Sequence, residues 1–317
     1  LFNRAISPRQ PGSSIKPLAV YGAALQKSYE YAAKNKTFEY TDYGFDKQGT
    51  QGWGDYITAS SVVVDEPLEI NGEEWPQNFS RSYSGKQSLR KALQQSINTC
   101  AVKILWQVGL DYSVEMLEKY GLTTVETDTS LAANDVNPAA LALGAMTYGV
   151  TPLEMSLAYA VFPNGGVHNT AVCYTTVDDG NGKTLLKGES QTSKVLDEGV
   201  AWIMTDVLKT VVSQGIAGNA AVPGIQVGGK TGTTNDNVDA WFMCAVPNLV
   251  MGTWVGGEEN SIHFTRNADG SRIALPITGK FLTKVYNDGS LGVERTDRFK
   301  RSDEVPDYSC SEDMQSQ

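Results

Sequence analysis

Three short apolar runs late in the chain, Val222–Thr234 (VPGIQVGGKTGTT), Val238–Val246 (VDAWFMCAV) and Leu249–Gly257 (LVMGTWVGG), are separated only by turn residues. Runs of this length and spacing predict adjacent antiparallel strands joined by tight turns. A sheet needs cover on its faces, and the chain supplies helices to provide it. Helical periodicity marks residues 13–34, 86–95, 99–108, 112–120, 138–147, 151–162 and 194–214, with a last helix at 275–288. The fold class expected is therefore α/β of the α+β kind, a central antiparallel sheet flanked by helices. With 317 residues, of which 41% are hydrophobic and 20% charged, the chain can bury one large core or two modest ones. Residues 35–85, rich in Gly, Tyr, Asp and Ser, read as a long irregular connection that is either functional or well packed. A polar, acidic tail over 291–317 is expected to fray.

Charge and composition exclude several functions. A net charge of -10 and a pI near 4.8 argue against nucleic acid or an anionic membrane as a main partner, because a phosphate-binding surface needs a basic excess. There is no run of eighteen apolar residues and no basic-then-apolar leader, so the segment as given reads as soluble. Because it begins at Leu1, it also reads as a piece of something longer. The four cysteines, Cys100, Cys173, Cys244 and Cys310, lack CxxC or CxxH spacing and are read as buried free thiols with no zinc site. The two histidines, His168 and His263, lie in polar, turn-like surroundings and are expected on the surface. A serine nucleophile in this chain therefore lacks a histidine partner, and lysine becomes the base to look for.

Three motifs supply that chemistry. In QPGSSIKP, Ser13 and Lys16 stand three apart at a helix start, on one face and one turn from each other. Pro17 falls in the first turn, where missing N–H groups do no harm. A lysine near its ordinary pKa is a poor base at neutral pH, so Lys16 needs burial or a second cation beside it. The plainer alternative is a capping serine and a solvated lysine. In LRKALQQSINTCAVKILW the flanks are helical, yet Ser96 and Asn98 would point about 200° apart on one continuous helix. A turn there brings both to one cleft, and Asn98 or Thr99 as a helix cap is the structural alternative. In VGGKTGTTNDNVDAWF, Lys230, Thr231, Gly232, Thr233 and Thr234 form a polar run inside buried strands. A strand edge of this kind suits an extended peptide and its terminal carboxylate, with glycine marking a close approach. A lysine beside a hairpin turn is the alternative reading.

The ordered set S-x-x-K, S-x-N and K-T-G resembles the active-site signature of penicillin-binding proteins and serine β-lactamases. The stretches RQPGSSIKP, SYSGKQSLRKALQQSINTCAV, MTYGVTPLEMSLAYAVFPNGG and GKTGTTNDNVDAWF are similar to the transpeptidase domain of class A, bifunctional penicillin-binding proteins. This resemblance covers residues 1–290, with 291–317 as tail, and implies that fold, with strands missing from its amino-terminal side. It implies Ser13 as the acylated nucleophile, Lys16 as its base, Ser96 as proton shuttle to the leaving group and Lys230 as support for the proton network. By the same resemblance Asn98 holds the substrate amide. Thr231 and Thr233, with Gly232 between them, bind the substrate on the strand, and the N–H groups of Ser13 and Thr233 form the oxyanion hole.

The reaction implied is D,D-transpeptidation. Ser13 attacks the D-Ala-D-Ala bond of a peptidoglycan stem peptide, expels D-Ala and passes the acyl group to an amine of a neighbouring stem. No metal or cofactor is implied, and β-lactams are expected to acylate Ser13. A glycosyltransferase domain and a membrane anchor are expected upstream, at the extracytoplasmic face of a bacterial cell membrane. With the amino-terminal strands absent, the strand at 248–256 is expected as an exposed edge. The alternatives are a serine β-lactamase, for which no E-x-x-x-N element lies between Asn98 and Lys230 although Glu126, Asp128 and Asp135 do, and a non-catalytic β-lactam receptor.

Overall fold

The computed structural model describes residues 2–41, 53–70, 72–259, 261–265, 268–303 and 305. The first helical stretch is a composite. A 3₁₀ turn (Gly12–Ile15) leads into a π-helical segment (Pro17–Gly22) and then α1 (Ala23–Ala33). The connection expected over 35–85 lies outside the described residues at 42–52 and 71, and its described part is packed, with Trp53, Ile57, Val63 and Leu68 buried. It carries two antiparallel pairs, β1 (Val62–Asp65) with β4 (Gly85–Ser88) and β2 (Glu69–Ile70) with β3 (Glu73–Glu74).

A helical body follows: α2 (Leu89–Gln94), α3 (Asn98–Val108), α4 (Leu110–Lys119), α5 (Pro138–Leu143) and α6 (Pro152–Ala160). Local chemistry sets their limits. Ser88 caps α2 by accepting from the Lys91 N–H. Thr151 and Glu154 form a capping box at α6, with Pro152 in its first turn. The helix expected over 138–147 stops at Leu143, because Gly144 turns left-handed (φ 77°) and its missing Cβ would lie 2.2 Å from the Gly12 carbonyl oxygen. Next come β5 (Val167–Asn169), β6 (Thr176–Asp178), β7 (Thr184–Lys187) and β8 (Thr192–Lys194), with β5 paired to β8 and β6 to β7. The chain then forms α7 (Glu198–Ser213), β9 (Gly228–Thr233), β10 (Asp239–Val246), β11 (Leu249–Gly256) and α8 (Leu275–Val285).

The three predicted late strands form one antiparallel sheet in the order β11, β10, β9, so β11 is an outer strand as expected. Side chains alternate across it. One face carries Lys230, Trp241, Met243 and Gly252, and Gly252 lies against Ser156 of α6. The other carries Thr253, whose hydroxyl meets Thr278 of α8 at 2.8 Å. The sheet thus lies between α8 and the helical body, and Lys230 points toward the body.

Two expectations need correction, and one set of strands went unpredicted. His168 is buried in β5, beside Gly121, rather than on the surface. Cys100 and Cys244 are buried free thiols, but Cys173 is exposed. The pairs within 167–194 went unpredicted although Asp179-Gly180-Asn181-Gly182 is a strong turn signal, because the strands it joins are short and exposed throughout. Cys310 and residues 306–317 of the tail lie outside the described residues.

Candidate active site

The turn that carries Ser13, the expected nucleophile, is packed closely and leaves one side chain unburied. Across residues 11–26 every residue except Ser13 is buried. In a 3₁₀ turn residues i and i+3 eclipse, so Ser13 and Lys16 leave it on the same side. The neighbouring Ser14 is buried, and its hydroxyl donates to the Pro11 carbonyl at 2.7 Å. Tyr159 of α6 donates to the Ser14 carbonyl at 2.5 Å, and Trp241 Nε1 donates to the Gln10 carbonyl at 2.8 Å. A buried ion pair, Arg9 Nε to Asp239 Oδ1 at 2.6 Å, ties the same segment to β10. Trp254 Nε1 donates to that carboxylate oxygen at 2.8 Å, and its ring lies under the Arg9 guanidinium.

Two glycines let β9 approach. An ideal Cβ on Gly232 would sit 2.3 Å from the Pro11 carbonyl oxygen, and one on Gly12 (φ 53°) would sit 2.5 Å from the Thr233 oxygen. Gly232 therefore serves the site by closeness to the nucleophile turn. Thr231 is buried and Thr233 half-buried on the adjoining backbone, and Thr233 Oγ1 accepts from the Gly270 N–H at 3.0 Å. That leaves the Thr233 hydroxyl proton available to a ligand.

Ser96 does break the helix. It takes a left-handed conformation (φ 56°) between α2 and α3, and the cap position of α3 is Ile97. Neither Asn98 nor Thr99 caps that helix with its side chain, so the structural alternative falls. Lys16 Nζ donates instead to Asn98 Oδ1 at 2.7 Å and to the Ser96 carbonyl at 2.8 Å, with Ser96 Oγ at 3.4 Å. Lys230 Nζ donates to the same Ser96 Oγ at 2.8 Å and to the Thr231 carbonyl at 3.0 Å.

Both lysines are fully buried. Burial pushes Lys230 down to about 7. Lys16 is held well below its ordinary range, first by burial and then by the nearby Lys230 charge. A buried amine with a lowered pKa is a competent proton acceptor near neutrality. The lysines proposed for base and network chemistry therefore meet at the Ser96 hydroxyl, and one of them, Lys16, stands one turn from Ser13.

The carboxylates between the second and third motifs stand elsewhere. Asp135 accepts from the Glu126 and Thr147 N–H groups at 2.9 and 2.7 Å, and Glu126 and Asp128 bond within their own loop. Sequence reasoning missed the ion pair Arg9–Asp239 and the buried polar residues Asp65 and Asn78, whose partners are distant in the chain.

Comparison with known proteins places this geometry. The family described as "Penicillin binding protein transpeptidase domain" matches residues 55–256. The chain belongs to the penicillin-binding protein transpeptidase family. Relatives include penicillin-binding protein 1A of Aquifex aeolicus, 35% identical over 290 residues, covering 90% of this chain and 35% of the relative. Penicillin-binding protein 1A of Neisseria meningitidis is 33% identical over 290 residues, covering 87% of this chain and 31% of the relative. The chain thus spans about a third of the length of the curated relatives it matches. Among solved structures, penicillin-binding protein 1A from Haemophilus influenzae superposes with a TM-score of 0.72 at 26% identity, over 91% of this chain and 44% of that one. The D,D-transpeptidase domain of a peptidoglycan glycosyltransferase from Eggerthella lenta gives 0.66 at 22% identity, over 92% of this chain and 69% of that one, a likeness of fold. The resemblance to class A penicillin-binding transpeptidase domains and the expected fold class both hold.

Proposed function

We propose that this chain is a peptidoglycan D,D-transpeptidase acting through a Ser13 acyl-enzyme. The observation that carries this reading is the meeting of two buried lysines at Ser96 Oγ, one of which, Lys16, stands one turn from Ser13, the one residue of 11–26 that is not buried. Lys16 takes the Ser13 hydroxyl proton as Oγ attacks the carbonyl of the penultimate D-Ala. The tetrahedral oxyanion is stabilised by the N–H groups of Ser13 and Thr233. Collapse breaks the amide bond, and Ser96 Oγ delivers a proton to the departing D-Ala amine, replenished from the lysines. The second step reverses this path: an amine of another stem peptide attacks the ester, its proton leaves through Ser96, and Ser13 Oγ is reprotonated from Lys16. Asn98 holds the donor amide through the Nδ2 hydrogen not given to the Gln77 carbonyl, while Thr231, Thr233 and the Lys230 charge receive the terminal carboxylate along β9 at Gly232. A β-lactam follows the first step and stays as an ester.

The chain would work within a longer, membrane-anchored protein with a glycosyltransferase domain at the extracytoplasmic face of a bacterial membrane. No helix among the described residues is long and apolar enough to cross a membrane. The test is incubation with a labelled penicillin followed by peptide mapping. One label per chain on Ser13, lost in Ser13→Ala and slowed by about 10²–10⁴-fold in Lys16→Ala, is the expected result. Label on Ser14, no label in a folded sample, or rapid repeated hydrolysis of a chromogenic cephalosporin overturns the proposal.

A further inference from the structure

The start of α3 poses a capping problem. Its cap position is Ile97, whose side chain accepts no hydrogen bond, yet the first N–H groups of a helix need acceptors when buried. Here two of them share one atom from elsewhere in the chain. The Asn98 and Thr99 N–H groups donate to Asn78 Oδ1 at 3.0 and 3.4 Å. Asn78 Nδ2 in turn donates to Asp65 Oδ1 at 2.7 Å and to the Ser82 carbonyl at 3.0 Å. Asp65 is saturated: Oδ1 also accepts from Thr99 Oγ1 at 2.6 Å, and Oδ2 accepts from the Ser84 N–H and hydroxyl, both at 2.7 Å. Asn78 and Asp65 are both buried.

This arrangement permits one orientation of the Asn78 amide. Flipped, it would set its NH₂ against two N–H donors and its oxygen against a carboxylate. The adjoining Gln77 carbonyl accepts from Asn98 Nδ2 at 2.8 Å, which leaves Asn98 Oδ1 facing Lys16. The loop at 77–78 therefore grips the Ser96–Asn98 turn on the side opposite the lysines. Ser96 sits in a left-handed conformation that an L-residue keeps only where its surroundings enforce it.

We infer that Asn78, oriented by Asp65, is a positioning residue for acyl transfer. It holds the Ser96 turn and the start of α3 so that Ser96 Oγ stays between the two lysines and Asn98 faces the cleft. This rests on the reading of the site as a serine acyl-transfer centre.

The test separates the acylation rate constant from the non-covalent binding constant, using the concentration dependence of labelling by a fluorescent penicillin, with a thermal melt of every variant. Asn78→Ala should lower the rate constant by about 10–100-fold with binding little changed, the scale of a site misplaced by roughly an ångström. Asn78→Asp, which sets two carboxylates against each other, should lose as much. The paired exchange Asn78→Asp with Asp65→Asn restores the donor–acceptor contact between the two but leaves the Ser82 carbonyl without its donor and turns an NH₂ toward Thr99 Oγ1, so it should recover part of the rate lost by Asn78→Asp alone; this pair decides the matter if Asn78→Ala fails to fold. An unchanged rate constant in folded Asn78→Ala, or a paired exchange no better than Asn78→Asp alone, overturns the inference. A parent chain that is folded but takes no label fails the acyl-transfer reading instead, and the inference falls with it.

Discussion

Replacing Lys230 with methionine tests how one buried lysine sets the proton affinity of the other. Both ammonium nitrogens contact Ser96 Oγ, at 2.8 Å from Lys230 and 3.4 Å from Lys16. They are therefore at most about 6 Å apart, and at an effective dielectric near 20 two unit charges at that separation repel by about 3 kcal/mol. Methionine keeps the volume and the burial but removes the charge, so Lys16 should hold its proton more tightly wherever Lys230 was charged, which is below about 7. The acid limb of the acylation profile should move to higher pH. The rate on the acid side should fall by up to about 100-fold, beyond a pH-independent loss from the missing hydrogen bond to Ser96. The assay is the second-order rate of penicillin labelling across the pH range, with a melt at each pH. A lower plateau with the acid limb unmoved would show that Lys230 acts on Ser96 alone, and the electrostatic argument would be wrong.

The same lysine has a stability signature. Lys230 loses its proton at about 7 when folded but near its ordinary 10.5 when unfolded. Between these values the unfolded chain binds more protons, so stability should rise with pH, and Lys230→Met should flatten that rise in denaturant titrations at several pH values. Gly12→Ala combines left-handed strain with a Cβ 2.5 Å from the Thr233 oxygen, and should destabilise by about 2–4 kcal/mol. Penicillin labelling of its folded fraction should fall as well, and labelling at the parent rate would show that the approach of β9 is not needed. Arg9→Met leaves Asp239 buried beside Trp254 without its cation and should cost about 3–5 kcal/mol. Arg9→Met with Asp239→Leu should recover most of that loss; equal losses in single and double variants would deny the pair its role.

Part of this protein is legible because its signals are local. The late strands announce themselves through apolar runs of strand length broken by turn residues: β10 and β11 form within a residue of their predicted limits, while β9 ends within one but begins only at Gly228, six residues into its run. The impossibility of serving one cleft from a continuous helix at Ser96 and Asn98 demanded a turn, and the left-handed Ser96 provides it. Other features left no local trace. Asn78 caps a helix 20 residues away, and Arg9 pairs with an aspartate 230 residues away, at separations where no periodicity records the partner. His168 reads as a surface turn residue because its neighbours are polar, yet it packs against Gly121.

Motif order and spacing by themselves determined the family and the architecture of sheet and helices, and singled out Ser13 with Lys16 as the candidate pair. Composition argued against nucleic acid, and the scarcity of histidine turned attention to lysine. The tertiary structure alone decided which of the adjacent serines reaches the surface, because Ser14 is bound to the Pro11 carbonyl while Ser13 is not buried. It also decided that two lysines 214 positions apart converge on Ser96 Oγ. The proposed role as proton carriers needs a lowered proton affinity, which comes from excluding water at Lys230 and from burial plus a neighbouring like charge at Lys16, and both conditions are properties of packing.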